Sequence, residues 1–247
     1  RDTESQMAGS VLWAAAGLVA ADARAVQLRI NGTTLLTPGE APHYGSYLHV
    51  EAFDADFADE HFPGDGNGNL YRGVRDVRPS PDVEADFAYL GTNPDAYRTV
   101  YPKSTNEAED NWTDLIELTN DFTNAPDATF AAEIAQVIDV DQWLRYLALD
   151  ALLSNDESGL QSGIGDDYAI YRGVTDTRFK LVPRDLDTLL GRGNTPTDFD
   201  DNGIWTIMDI PAFDRLLSEP AFASRYLQHM RDLATTVLSP AQFNPLL

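Results

Sequence analysis

The clearest periodic pattern in the chain predicts a helix that is apolar on all sides. Apolar residues recur at helical spacing at Val140, Trp143, Leu144, Leu147, Ala148 and Ala151. The opposite side is also apolar, with Tyr146, Leu149, Leu152 and Leu153. Asp139 precedes the run as the expected N-cap. Since no face is left for solvent, the pattern predicts a central, enclosed helix.

Acidic residues follow the end of this helix and the end of a later strand. Asp156 comes just after the helix, while Asp185 and Asp187 follow the β-type run 178–182. Closely spaced carboxylates after a strand are a common way to hold a hard divalent cation. We therefore expect the two segments to form one site, although Asp156 also fits an ordinary loop acid. Asp187 is as well placed to cap a helix as to bind metal.

The first third of the chain has the pattern of a helix followed by short antiparallel strands. The helix is predicted over about 4–20, from the apolar run that begins at Ala8, and is expected to end near Gly17 or soon after. Asn31-Gly32, between two β-type runs, is a strong hairpin signal. Strands are expected at 26–30, 45–53 and 69–74, with a short helix over 54–61.

A segment rich in Pro, Asp and Asn, residues 76–96, separates this part from a helical second part. Besides the central helix, the pattern predicts helices near 112–119, 130–138, 211–217 and 220–237. A second hairpin is expected to begin at Asp167 and to end just before Asp185. The sequence thus predicts an α+β fold, with a small antiparallel sheet in residues 1–90 and a mainly helical part in 91–247.

The charge of the chain restricts its partners. A formal net charge of −23 repels the phosphates of nucleic acids and anionic membranes, so we expect neither nucleic-acid binding nor membrane insertion. The apolar run 8–20 is too short to span a bilayer. Its flank, residues 1–7, lacks the basic character of a signal peptide, so we expect a buried helix and no signal peptide in this chain. A phosphorylated small ligand can still bind where cations neutralise the local charge.

Residue usage narrows the chemistry further. The chain has no cysteine, which excludes thiolate metal sites and cysteine nucleophiles, and its four histidines are scattered, so a histidine-rich zinc site is not expected. Only two of the 17 basic residues are lysines, against 40 acidic residues. This bias suits a high-salt or extracellular setting, but a GC-rich genome would also enrich arginine and alanine.

A glycine-rich segment at 62–69 partly follows the pattern of a calcium-binding loop. Asp65, Asn67 and Asn69 alternate as at the start of such a loop. However, Leu70 stands where glycine is required, and Asp76 where the closing glutamate belongs. The preferred interpretation is a glycine-rich turn, and calcium binding is the alternative. The acidic loop at 195–203 is likewise interpreted as a solvated surface.

Six short motifs occur in a fixed order along nearly the whole chain. They are Ile30-Asn-Gly32, Tyr44-Gly-Ser-Tyr-Leu-His-Val-Glu51, Gly68-Asn-Leu-Tyr-Arg72, Leu153-Ser-Asn-Asp156, Asp167-Tyr-Ala-Ile-Tyr171 and Phe179-Lys-Leu-Val-Pro-Arg-Asp-Leu-Asp187. Each is weak alone, but their order resembles that of the CotH kinases, a family named after a spore coat protein. The family is described as secreted or spore-associated atypical protein kinases. The resemblance implies a two-lobed, atypical protein-kinase-like fold that uses ATP and a divalent metal.

The resemblance also implies roles for four acidic residues. Asp156 corresponds to the catalytic aspartate that orients the attacking hydroxyl. Asp185 corresponds to the main metal-binding aspartate, and Asp167 stands in the place of the usual metal-binding asparagine. With Asp187 assisting, these residues would hold Mg²⁺ or Mn²⁺.

Two further residues correspond to the phosphate-binding part of the family. Arg72 would contact the phosphates of ATP, and Glu51 would organise that cation. The chain departs from the family pattern at two further positions. Arg72 replaces the usual lysine, and its planar guanidinium differs from the compact charge of a lysine. Arg184 replaces a tryptophan. The chain also begins after the place of the family's "RGnsS" segment, which is expected to contribute to nucleotide binding.

The leading hypothesis is therefore a secreted or cell-surface CotH-like kinase that transfers the γ-phosphoryl group of ATP to Ser or Thr hydroxyls of a protein. The alternative is a catalytically inactive CotH-like surface module that binds calcium or a protein partner. A metal-dependent hydrolase that uses the same acids is a third hypothesis. Nucleotide binding that depends on a divalent cation would separate the first from the second.

Overall fold

The computed structural model describes residues 3–34, 47–77, 83–155, 160–161, 163–191 and 203–246. Over these ranges the α-helices are α1 Thr3–Ala15, α2 Ala55–His61, α3 Asp95–Arg98, α4 Thr113–Asn124, α5 Phe130–Val137, α6 Val140–Leu152, α7 Pro211–Ser218, α8 Pro220–Thr235 and α9 Pro240–Phe243. The strands are β1 Ala23–Val26, β2 Arg29–Ile30, β3 Thr33–Thr34, β4 Tyr47–Val50, β5 Asn69–Gly73, β6 Tyr168–Arg172 and β7 Lys180–Pro183. The protein is thus α+β with small antiparallel sheets, as the sequence predicts.

Helix α6 is the enclosed helix that its sequence predicts. Asp139 caps its N-terminus by accepting a hydrogen bond from the Gln142 backbone N–H at 3.3 Å. The Gln142 side chain bonds both backbone groups of Leu181, at 2.7 and 2.9 Å. Trp143 Nε1 donates to the Phe179 carbonyl oxygen at 2.8 Å. The helix is therefore bonded directly to β7, the strand that leads into the acidic turn.

Strands β5, β6 and β7 form one antiparallel sheet in that order. Arg72 lies opposite Ala169, which lies opposite Val182 on the third strand. One face joins the main core, through Tyr71, Tyr168, Ile170 and Leu181. The other face packs against α2 in a second, smaller core that includes Phe57, Phe62, Leu70, Ala169, Tyr171 and Val182. Each face of the sheet thus contributes side chains to an apolar core.

Three details differ from the sequence prediction. Helix α1 ends at Ala15, slightly before the predicted end near Gly17, where the chain turns with a φ of 72°. The predicted strand 26–30 is divided, since β1 pairs with β4 while β2 pairs with β3 across the Asn31-Gly32 turn. Strand β5 does not join the strands that precede it; it pairs with β6, from the helical part.

The glycine-rich segment at 62–69 supports the β6–β7 turn. The Asp65 carboxylate accepts hydrogen bonds from the backbone N–H groups of Val174 and Thr175 at 2.7 Å and of Asp176 at 2.9 Å. A Cβ on Gly173 would lie 1.9 Å from Asp65 Oδ2, so only glycine allows this approach. Asp65, the first acid of the calcium-loop alternative, is thus used as an anchor for the turn.

We expect Asp65→Asn to lower the free energy of unfolding by about 2 kcal/mol at pH 7, because hydrogen bonds to a charged acceptor are lost. Burial acts to raise the pKa of Asp65, but the N–H groups of Thr175, Asp176 and Val174 outweigh it and hold that pKa below its usual value. The stabilisation is therefore present above the ordinary carboxyl pKa and is lost as the pH falls through the lowered one. Urea unfolding of both proteins at pH 7, 5 and 3 should show the difference shrinking with acid. A difference that stays constant over this range would contradict the role of the charge.

No helix in the described ranges combines the length and apolar character that crossing a membrane requires.

Candidate functional site

A cleft of about 470 Å³ lies between α1, the end of β4, β5 and the end of β7. Its walls are formed by Gln6, Ser10, Ala21, Val50, Glu51, Ala52, Phe53, Arg72, Pro183, Arg184, Asp185 and Leu186. Three of the residues predicted to act in a site, Glu51, Arg72 and Asp185, are thus brought together from distant parts of the sequence.

The charged groups of the cleft continue one face of the β5–β6–β7 sheet. Side chains alternate along a strand, so Arg72 shares the face of Leu70, and Arg184 follows Val182 by two residues. Asp167 precedes β6 at the matching position, and its Oδ1 lies 3.5 Å from Arg184 Nη1. The face is therefore apolar where α2 covers it and charged where it reaches the cleft.

Arg72 is held by the sheet but keeps part of its hydrogen-bonding capacity. Its backbone N–H donates to the Pro102 carbonyl oxygen at 3.0 Å. Its Nε is buried, and no group in the described ranges accepts a hydrogen bond from it. A buried donor without an acceptor is unfavourable, since it has given up water without replacement. Arg72 also lines the cleft, so its guanidinium is a cation that an anionic group bound there would meet.

Glu51 is fixed by its neighbours on the other wall. Its Oε2 accepts a hydrogen bond from the Asp22 backbone N–H at 3.1 Å and lies 2.8 Å from His61 Nε2. Its own backbone N–H donates to the Asp22 carbonyl oxygen at 2.9 Å. The carboxylate is therefore half-buried and held in place by contacts with Asp22 and His61.

Asp185 lies in a tight turn directly after β7. Its φ of 45° is in the left-handed region, which aspartate tolerates better than most residues. The backbone N–H of the next residue, Leu186, donates to Gln6 Oε1 at 2.7 Å. Asp187 is half-buried in the same turn but is not part of the cleft wall as described. Of the three predicted metal ligands, Asp185 thus lines the cleft, and Asp167 lies next to Arg184, which also lines it.

Asp156, the predicted catalytic residue, lies outside the described residues. The residues just before it are described, and they contact the segment after Asp187. The Leu190 backbone N–H donates to the Leu153 carbonyl oxygen at 2.6 Å, and Thr188 Oγ1 lies 3.4 Å from Asn155 Oδ1. The end of α6 therefore lies beside the segment that follows Asp187.

The described ranges contain no group of three or more histidine or acidic side chains that could hold a metal ion. A resident, all-protein cation site is thus not formed by these residues alone. Mg²⁺ bound with a nucleotide has a smaller requirement, because it is usually held by one or two carboxylates while phosphates and water complete its shell. Of the predicted metal ligands, Asp185 lines the cleft.

Comparison with known proteins places this architecture in a family. The sequence model described as CotH kinase protein matches residues 9–247. The chain belongs to the CotH kinase family. It is also similar to the inner spore coat protein H of Bacillus subtilis (strain 168), with 28% identity over 152 residues. That alignment covers 60% of this chain and 38% of the relative, so the chain spans well under half the length of the spore coat protein. The resemblance seen in the six motifs is confirmed.

Three cleft residues, Gln6, Ser10 and Arg184, are not among the site residues predicted from the sequence. Arg184 had a visible signal, because it directly precedes Asp185 and departs from the family pattern. Gln6 and Ser10 had none. They lie on a helix whose composition indicates only burial, and the contact of Gln6 with Leu186 spans 180 residues.

Proposed function

We propose that this CotH-family protein is an atypical kinase that transfers the γ-phosphoryl group of ATP to Ser or Thr hydroxyls of a protein, with Mg²⁺ or Mn²⁺. The observation that carries the proposal is the cleft that the cationic residues Arg72 and Arg184 share with Asp185. We also propose the kinase-like division into a sheet part, 1–90, and a helical part, 91–247, with the cleft where they meet.

The cationic wall of the cleft is suited to phosphate. In a chain with a net charge of −23, most surfaces repel an anion, yet both Arg72 and Arg184 line this one cleft. A guanidinium presents its donors in a planar fork that matches phosphate oxygens. Arg184 is half-buried and its contact with Asp167, at 3.5 Å, is long for a hydrogen bond between charged groups. We therefore assign phosphate contacts to both arginines, with Glu51 orienting the charge on the opposite wall.

The acidic residues would complete phosphoryl transfer. Asp185, assisted by Asp167 and Asp187, would hold the divalent cation, which neutralises charge on the phosphates. Asp156 would orient the protein hydroxyl for attack, since Leu153 and Asn155, just before it, contact the segment that follows Asp187. Catalysis of this kind is mostly positioning and charge stabilisation, so short acidic loops on a rigid sheet are sufficient.

The setting of the reaction is part of the proposal. The Bacillus relative is named as an inner spore coat protein. A lysine-poor, strongly acidic surface is in keeping with a secreted or cell-surface location. We propose that the substrate is a protein of such a surface.

Calorimetric titration with ATP tests the proposal. We expect ATP to bind when Mg²⁺ or Mn²⁺ is present and to bind at least tenfold more weakly without either, because Asp185 acts through the cation. Asp185→Asn should remove the metal dependence. Asp214→Asn, which changes an exposed acid on α7, is the matched control and should leave binding unchanged. Transfer of ³²P from γ-labelled ATP to added casein or to the chain itself would then establish the reaction.

One result would overturn this function. If Ca²⁺ alone stabilised the protein while ATP bound under none of these conditions, the kinase proposal would fail.

A further inference from the structure

The N-terminal helix contacts the turn that carries Asp185. A Cβ on Gly9 would lie 2.8 Å from Leu186 Cβ and from Leu189 Cδ1, so the helix backbone packs directly on this turn. Only a residue without a side chain permits such an approach. The turn is therefore enclosed between α1 on one side and the sheet on the other.

One hydrogen bond joins the two elements at the site. Leu186 is 1% exposed, and its backbone N–H donates to Oε1 of Gln6, which is 8% exposed. The Ser10 hydroxyl in turn donates to the Gln6 carbonyl oxygen at 3.2 Å, one turn along the helix. Because both partners are buried, loss of the acceptor would leave the Leu186 N–H without water or a protein group to bind.

This bond holds Leu186, the residue after Asp185, and Asp185 itself has an unfavourable backbone conformation. Asp185 has a φ of 45°, so it persists there only if its surroundings hold it. Fixing the N–H of residue 186 fixes the peptide that follows the Asp185 Cα, and with it the direction of the carboxylate. Gln6 and Asp185 both line the cleft, so the support acts within the site.

We infer that Gln6 is a positioning residue, which holds the Asp185 turn in the geometry that the cleft needs for a nucleotide-bound cation. Gln6 lies outside residues 9–247, the region that matches the family model. The inference rests on the proposed function for its effect on binding, but its structural part, the support of the turn, can be measured without any ligand.

The test compares two glutamines whose side chains each accept a hydrogen bond from a backbone N–H in residues 181–186. Gln6→Met removes the acceptor at Leu186 while keeping the length of the side chain. Gln142→Met does the same at Leu181, which α6 supports from outside the cleft. Gln6→Glu restores an acceptor oxygen and is the rescue variant. All three are measured by hydrogen exchange of the peptides that cover 184–189 and by calorimetric titration with ATP and Mg²⁺.

We expect Gln6→Met to speed exchange at 184–189 and to weaken binding of ATP with Mg²⁺ by about tenfold, as a small misplacement of an aligned group does. Gln6→Glu should recover the slow exchange. Gln142→Met should lower the melting temperature but leave the affinity unchanged. The inference fails if exchange at 184–189 is unchanged in Gln6→Met, or if both Met variants weaken binding equally. If the wild-type protein binds no ATP, the proposed function fails, and exchange alone decides whether Gln6 holds the turn.

Discussion

Phe87→Ala should lower the free energy of unfolding by about 3–5 kcal/mol, the range for removing a buried aromatic ring. Phe87 is fully buried, and its ring centroid lies 5.2–6.2 Å from five others. These belong to Tyr101, Phe122, Trp143, Tyr168 and Phe213. The cavity would be lined by rigid rings, which cannot close around it, so the loss should fall toward the upper end of the range.

Equilibrium unfolding in urea measures this loss, with Phe222→Ala as the matched control. Phe222 is only partly buried, on the surface of α8, and its removal should lower the free energy of unfolding by about 1 kcal/mol. Equal losses for the two variants would show that Phe87 is not at the centre of the core. The Phe87 result bears on the site as well, because Phe87 packs on Trp143 of α6 and on Tyr168, the first residue of β6.

Phe87 also shows where sequence reasoning reached its limit. It lies in the segment 76–96, which composition marks as the separator between two parts. The chain around Phe87 forms neither a helix nor a strand, so the neighbouring apolar residues show no regular spacing that would indicate the burial of Phe87. Its backbone N–H donates to the Tyr101 hydroxyl at 2.9 Å, a contact between residues that no local rule pairs. The composition of residues 76–96 predicts a boundary between two parts of the chain, but Phe87 in this segment is buried in the main core.

Regular elements with a strong local signal were predictable. The all-apolar pattern and the Asp139 cap define α6 within one sequence window, and the Asn31-Gly32 turn is equally local. Pairing between distant strands was not. Strand β5 was predicted with the correct position, but its partner, β6, is about 100 residues later, and nothing in five alternating residues specifies that choice.

The same limit applies to the candidate site. Acidic residues after a strand and the family motifs pointed to Asp185 and Arg72, and both line the cleft. The burial of the Arg72 Nε, which has no acceptor among the described residues, and the bond from Leu186 to Gln6 depend on side-chain packing, so only the structure reveals them. Sequence thus proposes which residues act, and the fold shows which of them lack a partner or receive support.

Arg72→Met should weaken binding of ATP with Mg²⁺ by about 100-fold, which corresponds to about 2.8 kcal/mol of binding free energy. The expected loss is large because Arg72 supplies a charge-assisted bond from within a half-buried wall. In the free protein Arg72 forms part of the cleft wall, so the substitution removes a contact with phosphate that only the complex makes.

Arg172→Met is the matched control for this measurement. Arg172 lies on the neighbouring strand β6, but on the opposite face and at the other end of the sheet, where it lies 4.0 Å from Asp114. Its substitution should leave the affinity for ATP unchanged. Arg72→Lys tests the departure from the family pattern, and we expect a loss of about tenfold, since lysine keeps the charge but not the planar fork.

The order of these affinities separates the physical causes. If charge alone mattered, Arg72→Lys would bind as tightly as the wild-type protein, and only Arg72→Met would fail. If the fork and the buried Nε matter, the lysine variant falls between the two. Equal affinity of Arg72→Met and the wild-type protein would mean that the cleft does not receive the phosphates. That result would remove the main support for the kinase proposal while leaving the fold and the family assignment as they are.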